Sequence, residues 1–333
     1  MTGLVLRRLA QLPLILFLIY TITLVLAWAV PGSPLDRGEG RRPPPEVIAA
    51  MQRQYRLDSF WNFYWSYLDR ASGCKYLRDS TSPAAPHNTA KPDAAAQPSR
   101  RVFDLGPSLL YRDRSVNEII AASLPVSLSL GLAAILLAMV VGLGAGVASA
   151  WRPGSLVDRS ALFVALVGIS LPNFVVGTVL LLVFPVLLGW GAVAAGTGPA
   201  DLILPAITLS LPFAAYIARL TRMGMIEQMH ADYIRTARAK GVSERAILLR
   251  HALKNAFLPV LSYLGPAAAL AMTGSFVVER VFTVPGIGQH FVNAVQNKDL
   301  FLVIGVVLVY ATMLVLFNLI VDVLYVAVDP RTR

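Results

Sequence analysis

Residues 124–150 read LPVSLSLGLAAILLAMVVGLGAGVASA and contain no Asp, Glu, Lys or Arg. An α-helix rises about 1.5 Å per residue, so about 22 residues reach roughly 33 Å and cross a hydrocarbon core of about 30 Å. A single membrane-crossing helix is therefore the simplest structure for this stretch. The chain repeats the pattern, with uncharged stretches at residues 9–35, 119–151, 160–200, 202–218, 255–278 and 300–321. The core of one soluble domain does not need six of them.

The composition of the 333-residue chain indicates a membrane protein. Charged residues make up 14% of it and hydrophobic residues 56%, with a mean hydropathy of +0.62, whereas soluble domains carry roughly 25% charged residues. This excludes a soluble enzyme and a disordered chain. The single cysteine, Cys74, cannot form an internal disulfide, which excludes a disulfide scaffold and a paired-thiol metal site. The net charge of +10 fits Lys and Arg retained on the cytoplasmic side of a lipid bilayer, and we expect no nucleic-acid partner.

We predict an all-α integral membrane protein with six transmembrane helices. They lie at residues 9–30, 124–150, 160–182, 202–217, 258–278 and 302–325. Residues 160–200 are too long for one helix, so we place a loop at 189–197. Basic residues around Arg152 and within 219–254 should both be cytoplasmic, which requires an even number of crossings between them. Both chain ends are then predicted to be cytoplasmic, at residues 1–8 and 326–333.

The stretch between the first two helices, residues 31–118, is predicted to be a long extracytoplasmic loop. Its many Arg residues are compatible with that side, because loops longer than about 60 residues translocate largely regardless of charge. Residues 57–68 are rich in Phe, Trp and Tyr, which favours a helix lying at the level of the lipid headgroups. Residues 79–100 are rich in Ser, Ala and Pro and are predicted to be disordered.

The predicted spans offer packing surfaces but carry no ionisable group in their middles. Gly142, Gly144 and Gly146 alternate in the second helix, and small residues let a neighbouring helix approach closely. Ion-coupled carriers place ionisable groups inside the bilayer, so a coupling-ion site is not indicated. The chain also lacks a Gly-x4-Gly-Lys-Ser/Thr phosphate loop. If the protein drives transport, another subunit must supply the energy.

Residues 219–257 read RLTRMGMIEQMHADYIRTARAKGVSERAILLRHALKNAF. Apolar side chains recur every four positions and predict one helix, at Met225, Met229, Tyr233 and Ala237. Lys240 and Gly241 form a helix-end signal, and Ser243 with Glu244 begins a second helix, the hydroxyl capping free amides. The pattern predicts an elbow on the cytoplasmic face. It either receives a partner protein or lies on anionic lipid.

This stretch resembles the cytoplasmic loop of ABC-transporter permeases with the type I importer fold, and above all the dipeptide, oligopeptide and nickel permease family. Residues 232–241 match the family's Asp-Tyr-Ile/Val-Arg-Thr-Ala-Arg-Ala-Lys-Gly, and Ser-Glu follows at 243–244. Residues 250–259 match Arg-His-Ala-Leu-x-Asn-Ala-x-x-Pro. The general permease motif Glu-Ala-Ala-x3-Gly stands here as Arg-Thr-Ala-x3-Gly, which is usual in the peptide branch.

The resemblance extends along most of the chain in the same order. Further matches lie at residues 6–9, 31–34, 104–106, 124–128, 170–174, 204–206, 279–282, 285–288, 318–325 and 329–331. Residues 79–100 depart from the family and look like an insertion in the outer loop. The resemblance therefore implies a type I ABC importer permease fold with its core at residues 119–325.

The resemblance also implies partners in a bacterial cytoplasmic membrane. The family joins two homologous permeases with one or two kinds of ABC ATPase subunit and an extracytoplasmic substrate-binding protein. ATP and Mg²⁺ are bound by the ATPases, so this chain would hold no cofactor and would not be an enzyme. A short cytoplasmic helix seats in a cleft of the ATPase. The residues implied for that contact are Arg235, Thr236, Ala237, Arg238, Lys240, Gly241, Ser243 and Glu244.

The chemistry of the implied contact residues suits docking. Gly241 permits a sharp turn, and the small side chains of Thr236 and Ala237 allow close approach. The cations of Arg235, Arg238 and Lys240 can pair with acidic groups on an ATPase.

A second stretch, residues 279–299, is short, predicted to be outside and rich in turn residues. It is either a simple loop or an outer gate that contacts the binding protein. The candidate gate residues are Pro285, Gly286, Gly288 and Gln289.

The leading hypothesis is the permease subunit of an ATP-driven importer of di- or oligopeptides. Within the same class, the cargo could be nickel chelates, haem or peptide-like antibiotics. From a different class, the chain could be a self-sufficient channel or secondary carrier, although the spans lack the charges that such carriers use. A membrane anchor for another complex is the remaining alternative.

Overall fold

The computed structural model describes residues 2–31, 45–81, 102–111, 113–191, 198, 200–273 and 276–328. Within these residues the regular structure is helical, apart from an isolated bridge between Pro107 and Ser115. The helices are α1 (Thr2–Ala29), α2 (Pro45–Gln54), α3 (Phe60–Ala71), α4 (Cys74–Thr81), α5 (Val116–Trp151), α6 (Leu156–Ser170), α7 (Asn173–Leu181), α8 (Ile203–Met229), α9 (Asp232–Ala239), α10 (Glu244–Ala246), α11 (Leu253–Met272), α12 (Phe276–Val281), α13 (Ile287–Gln296) and α14 (Leu300–Val328). Two π-helical turns, Leu182–Leu187 and Ile247–Ala252, continue α7 and α10.

Five helical stretches of the described chain are long and apolar enough to cross a membrane. They are Val5–Ala29, Val116–Trp151, Ile203–Met229, Glu244–Val281 and Leu300–Leu324. Six spans result if the bent pair formed by α6 and α7 counts as one. The prediction of an all-helical membrane protein is therefore confirmed, with five or six candidate spans.

The third predicted span, residues 160–182, is not one straight helix. The axis of α6 and that of α7 with its π turn differ by 101°. Proline has no backbone N–H and disfavours helical dihedral angles in the residue before it. Leu171, which precedes Pro172, is accordingly extended, with φ −83° and ψ 127°. The pair is a broken span or a re-entrant loop, so the helix predicted at residues 160–182 is interrupted at this place.

The chain divides into two compact units. The first comprises Met1–Pro13, Ser123–Gln289 and Thr312–Arg333, and the second comprises Leu14–Ala122 and His290–Ala311. In the first unit, α5, α8 and α11 share a buried apolar core, to which Leu130, Ala134, Leu209, Ile217, Val260, Leu264 and Phe282 contribute.

Glycines of α5 give this core its close packing. A Cβ added at Gly142 would lie 2.7 Å from the carbonyl oxygen of Ala214, and one at Gly146 would lie 2.7 Å from that of Ala218. Both carbonyls belong to α8. A Cβ at Gly144 would meet nothing within 4 Å. Two of the three glycines therefore serve the predicted close helix approach, and Gly144 lies away from it.

In the second unit, the aromatic-rich stretch predicted as a headgroup-level helix forms α3. Its side chains divide between two faces. Trp61 and Trp65 are 63% and 59% exposed, whereas Phe63, Tyr64 and Tyr67 are buried. The buried face packs against α1, where the Tyr20 hydroxyl donates a hydrogen bond to the Tyr64 carbonyl oxygen at 2.7 Å. This face is covered by protein, and the exposed aromatic side chains of the helix lie on the opposite face.

Asp299 fixes the start of α14 in the second unit. Its carboxylate accepts hydrogen bonds from the Ser108 hydroxyl at 2.5 Å and from the amides of Leu109 and Leu110 at 2.8 and 3.0 Å. It also accepts from the amide of Leu302 at 3.1 Å, which caps the first turn of the helix. Burial raises the pKa of this carboxyl, and the hydrogen bonds offset part of that effect.

Several predictions fall on residues outside the described ranges. The proposed disordered stretch 79–100 is described only through Thr81, where α4 ends. The predicted loop at 189–197 is described through residue 191, and the tail at 326–333 through residue 328.

Candidate functional site: the elbow and the glycine-rich segment

The elbow, residues 230–246, begins where α8 ends. The prediction of one helix through Met225, Met229, Tyr233 and Ala237 is wrong, because the chain turns after Met229 and a separate helix, α9, starts at Asp232. Ala231 between them is extended, with φ −71° and ψ 149°. The four-residue apolar repeat continues across the break, so periodicity alone could not reveal it.

Burial explains why the chain turns there. Ile234 and Ala237 of α9 pack into an apolar cluster with Ala150 of α5, Met225 of α8, and Ile247, Leu248, Ala252 and Ala256. Tyr233 adds a polar link, since its hydroxyl donates to the Gln228 side chain at 2.7 Å and accepts from Asn255 at 3.1 Å. The root of the elbow is therefore fixed to the ends of three long helices.

The turn at the far end of α9 has the geometry of a Schellman motif. Gly241 has φ +75°, its amide donates to the Arg238 carbonyl at 2.9 Å, and the Val242 amide donates to the Ala237 carbonyl at 3.2 Å. This pair of bonds needs a left-handed residue, which glycine adopts without strain. The predicted helix end is confirmed. Ser243 precedes α10 as predicted, but its hydroxyl makes no capping hydrogen bond, so that part of the prediction is wrong.

The predicted contact residues divide into an exposed set and one buried member. Exposed side chains or backbone are found at Arg235, Thr236, Arg238, Lys240, Gly241, Ser243 and Glu244, whereas Ala237 is buried. Ala237 therefore contributes to the root of the elbow and not to its free surface. The structure places the other seven on the outside of α9, of the turn that follows it and of the start of α10.

Two ion pairs lie within this exposed surface. The Arg238 Nε donates to Glu244 Oε1 at 2.8 Å across the turn, and this hydrogen bond raises the pKa of the arginine. An Arg235 nitrogen lies 3.6 Å from Asp232 Oδ1. Both pairs are solvent-exposed, so they stabilise the fold little.

The buried side chain of Glu279 supports the glycine-rich segment, residues 282–289, through hydrogen bonds. This side chain is fully buried. Its Oε1 accepts from the Ser127 hydroxyl at 2.7 Å, and its Oε2 accepts from the Gln289 amide at 3.2 Å. The Ser127 oxygen in turn accepts from the Ile287 amide at 2.9 Å. One carboxylate and one hydroxyl therefore connect α12, α5 and the first turn of α13.

Two positions of this segment require glycine because an added Cβ would clash with Glu279. A Cβ added at Gly286 would lie 2.4 Å from the Glu279 carboxyl carbon, and one at Gly288 would lie 2.9 Å from Oε2. Of the predicted gate residues, Gly286 and Gly288 are buried, Gln289 is half-buried and Pro285 is exposed. Sequence reasoning did not select Glu279 or Ser127 as site residues. The available signal was a single acid at the end of an apolar stretch, six residues before a Pro-Gly-x-Gly turn.

Within the described residues, no group of three His, Cys, Asp or Glu side chains is placed to hold a metal ion. The elbow instead presents a charged, exposed surface on a fixed root, and the glycine-rich segment presents a short turn on a buried carboxylate.

The chain thus combines apolar helices of spanning length with an exposed elbow on a fixed root. A family model described as "Binding-protein-dependent transport system inner membrane component" matches residues 138–333, and the chain belongs to this family. It is a multi-pass inner-membrane permease and a non-catalytic subunit, in which no cofactor is expected. Its partners include an ATPase and a binding protein.

Individual relatives match along nearly the whole chain. The oligopeptide transport system permease protein OppB of Escherichia coli K12 is 41% identical over 332 residues, covering 99% of this chain and 98% of that protein. OppB of Haemophilus influenzae is 38% identical over 98% of this chain and 97% of that protein. The dipeptide transport system permease protein DppB of Bacillus subtilis is 35% identical over 96% of this chain and 94% of that protein.

A solved structure shares the fold. It is an inward-facing conformation of the MetNI methionine ABC transporter, native CY5 crystal form, which matches with a TM-score of 0.50 and 19% identity. The match covers 64% of this chain and 97% of that chain. At this identity the likeness concerns the fold alone, which is that of an ABC transporter membrane subunit.

Proposed function

We propose that this chain is the permease subunit of an ATP-driven importer of di- and oligopeptides. The observation that carries the proposal is the similarity to OppB along 99% of the chain, supported by the similarity to DppB. The chain forms the translocation path together with a second homologous permease. Peptides reach it from an extracytoplasmic substrate-binding protein, and ATP is hydrolysed by partner subunits.

Uptake of a radiolabelled peptide tests the cargo. Cells of the native host that lack this gene should lose uptake of trialanine and regain it when the gene is restored. Uptake of ⁶³Ni²⁺ and of haemin, measured in the same strains, provides the comparison. Loss of nickel or haem uptake with normal uptake of di-, tri- and tetra-alanine would overturn the peptide assignment and leave the class intact.

The elbow is the proposed docking site of the ATPase. Its exposed cations and small side chains surround a turn that Gly241 makes sharp, and its root packs on α5, α8 and α11. A displacement of the elbow is therefore transmitted to these three long helices. Docking gives the exposed ion pairs of Arg235 and Arg238 alternative partners on the ATPase.

Two matched glycine substitutions test the docking site. Gly241 and Gly189 both have positive φ, +75° and +66°, and an added Cβ would meet nothing within 4 Å at either. Gly241→Val and Gly189→Val therefore impose a similar local strain. We expect only Gly241→Val to release the ATPase when the tagged permease is purified in mild detergent and its partners are measured by mass spectrometry. Equal retention of the ATPase by both variants would contradict the assignment.

The proposed topology places both termini and the elbow in the cytoplasm and residues 31–118 outside. Cys74 provides a direct test, because it is the only cysteine of the chain and is exposed. A membrane-impermeant maleimide should label Cys74 in spheroplasts without permeabilisation. The double variant Cys74→Ser, Lys240→Cys should be labelled only after permeabilisation. The reverse pattern would invert the topology.

The glycine-rich segment is proposed as an outer gate or binding-protein contact. Pro285 is exposed and Gln289 half-buried, so both can reach another protein while Glu279 holds the base of the turn. A photo-crosslinking amino acid at position 285 or 289 should capture the binding protein. Failure at both positions, with capture from residues of α3, would assign the contact to the outer loop instead.

A further inference from the structure

A second charged group lies in the same unit as the elbow, and the proposed docking of the ATPase does not use it. Asp158, in the first turn of α6, has a side chain that is 3% exposed. Its carboxylate accepts two hydrogen bonds from Arg222 of α8, from Nε at 2.6 Å and from Nη2 at 2.9 Å. It also accepts from the Gly154 amide at 2.7 Å and from the hydroxyl of Ser149 in α5.

Burying this carboxylate destabilises the fold unless its oxygens are fully hydrogen-bonded. Removing the Asp158 charge from water carries a large penalty, and only good geometry with its lone pairs satisfied offsets it. The Arg222 side chain keeps 23% of its exposure. Here one carboxylate receives four donors from α5, the turn after it and α8, and the two arginine bonds form the planar fork that favours carboxylates. The group therefore holds α8 at one angle to the turn that joins α5 and α6.

The position of this group relates it to the elbow. Arg222 lies seven residues before Met229, where α8 ends, which is about 10 Å along the helix. Ser149 lies beside Ala150, and Ala150 packs in the apolar cluster beneath the elbow together with Ile234 and Ala237. The end of α5 thus contacts both groups, one ionic and one apolar.

We propose that Asp158 and Arg222, with Ser149, are positioning residues for coupling. They make α8 and the α5–α6 turn move as one body when the ATPase displaces α9, so that hydrolysis is transmitted to the helices that line the path. The inference rests on the proposed docking of the ATPase at the elbow. Without the ion pair, α8 rotates or tilts independently of α5. A displacement of the elbow then does not reach the other membrane helices.

The test uses the assembled complex purified from the native host with its ATPase and binding-protein partners and reconstituted in proteoliposomes. The measured quantity is the ratio of ATP hydrolysis with the binding protein, carrying the cargo with which it purifies, to hydrolysis without it. A merely structural role lowers the amount of active complex and moves both rates together, so it leaves this ratio unchanged. We expect Asp158→Asn and Arg222→Lys to lower the ratio at least about tenfold, because each removes hydrogen bonds by which the carboxylate joins α8 to the α5–α6 turn.

Matched controls come from a second ion pair in the same unit. Arg8 and Asp322 are 2.8 Å apart, with side chains 46% and 31% exposed, and join α1 to α14. Asp322→Asn should leave the ratio unchanged. If Asp158→Asn does not assemble, Ser149→Ala and Arg222→Lys decide the question, because each keeps the carboxylate and part of its donors. A ratio equal to wild type in both would overturn the proposal, as would an equal loss in Asp322→Asn.

The experiment separates this inference from the docking on which it rests. If Gly241→Val releases the ATPase while Ser149→Ala and Arg222→Lys keep the normal ratio, docking stands and the positioning role is wrong. If Gly241→Val retains the ATPase and the network variants still change the ratio, coupling enters α8 by another route and the elbow assignment is wrong.

Discussion

The elbow and the glycine-rich segment are both short turns between helices, and each depends on a glycine and an acid. In the elbow the acid Glu244 is exposed and pairs with Arg238, six residues away. In the glycine-rich segment the acid Glu279 is buried and pairs with Ser127, 152 residues away. Gly241 supplies a backbone conformation, with φ +75°, and Gly286 supplies empty space beside the carboxylate. The elbow thus keeps its charges exposed to water, whereas the glycine-rich segment has a buried carboxylate that accepts hydrogen bonds on both oxygens.

The largest loss of stability is expected at Gly286, where the absence of a side chain leaves room for the Glu279 carboxylate. Gly286→Ala places a Cβ 2.4 Å from the Glu279 carboxyl carbon, and that carboxylate cannot retreat because it is held on both oxygens. We expect a loss of more than about 3 kcal/mol, since overpacking of fixed groups is at the upper end of its usual cost. The folded yield after detergent extraction measures it by size-exclusion chromatography. Gly144→Ala is the control, because an added Cβ there meets nothing within 4 Å, and a similar loss in both would contradict the argument from space.

A smaller loss is expected when the hydroxyl that links helix and turn is removed. Ser127→Ala leaves the Ile287 amide without its acceptor and Glu279 Oε1 without its donor, at a cost of about 2 kcal/mol. Scanning fluorimetry of the purified subunit should record a lower Tm. Ser129→Ala, two residues along the same helix, removes an exposed hydroxyl that donates to the Val126 carbonyl at 2.8 Å. It should leave the Tm unchanged, and equal shifts would refute the role of Ser127.

A pH-dependent effect is expected in the second unit, beyond the end of the glycine-rich segment. Burial lowers the pKa of His290, and the Arg114 cation lowers it further, while Nδ1 lies 3.3 Å from the Tyr111 hydroxyl. The neutral ring is thus favoured in the folded state. Its contribution is complete above the unfolded pKa of about 6.5 and is lost as pH falls through the lower folded pKa. The Tm of the wild type should therefore fall more steeply than that of His290→Gln between pH 7 and pH 5, and parallel curves would contradict this.

The sequence predicted much of the elbow and little of the support beneath the glycine-rich segment, for a physical reason. Helix-end signals such as Lys240-Gly241 act within a few residues, so they can be recognised in one sequence. The bend at Pro172 also had a local signal, the proline itself. The long uncharged stretch around it nevertheless favoured the prediction of one continuous helix. The break after Met229 had none, because the apolar repeat continues into α9 and the turn is stabilised by burial against α5. Ser127 lies 152 residues from Glu279 and Arg222 lies 64 residues from Asp158 along the chain, and only the folded structure brings these pairs together.

The smallest effect on the fold is expected at the exposed ion pair of the elbow. Arg238→Ala removes the 2.8 Å bond to Glu244, but both side chains are about half exposed, and pairs of this kind contribute at most a few tenths of a kcal/mol after screening. The Tm of the isolated subunit should stay within error of the wild type, in contrast to Ser127→Ala. Association with the ATPase, measured by co-purification at increasing NaCl, should nevertheless weaken and lose part of its salt dependence, because one cation has been removed from the contact. A fall in Tm comparable to that of Ser127→Ala would mean that the elbow is stabilised by its charges as the glycine-rich segment is by its carboxylate. The two turns would then be stabilised in the same way, and they would differ only in where they lie in the chain.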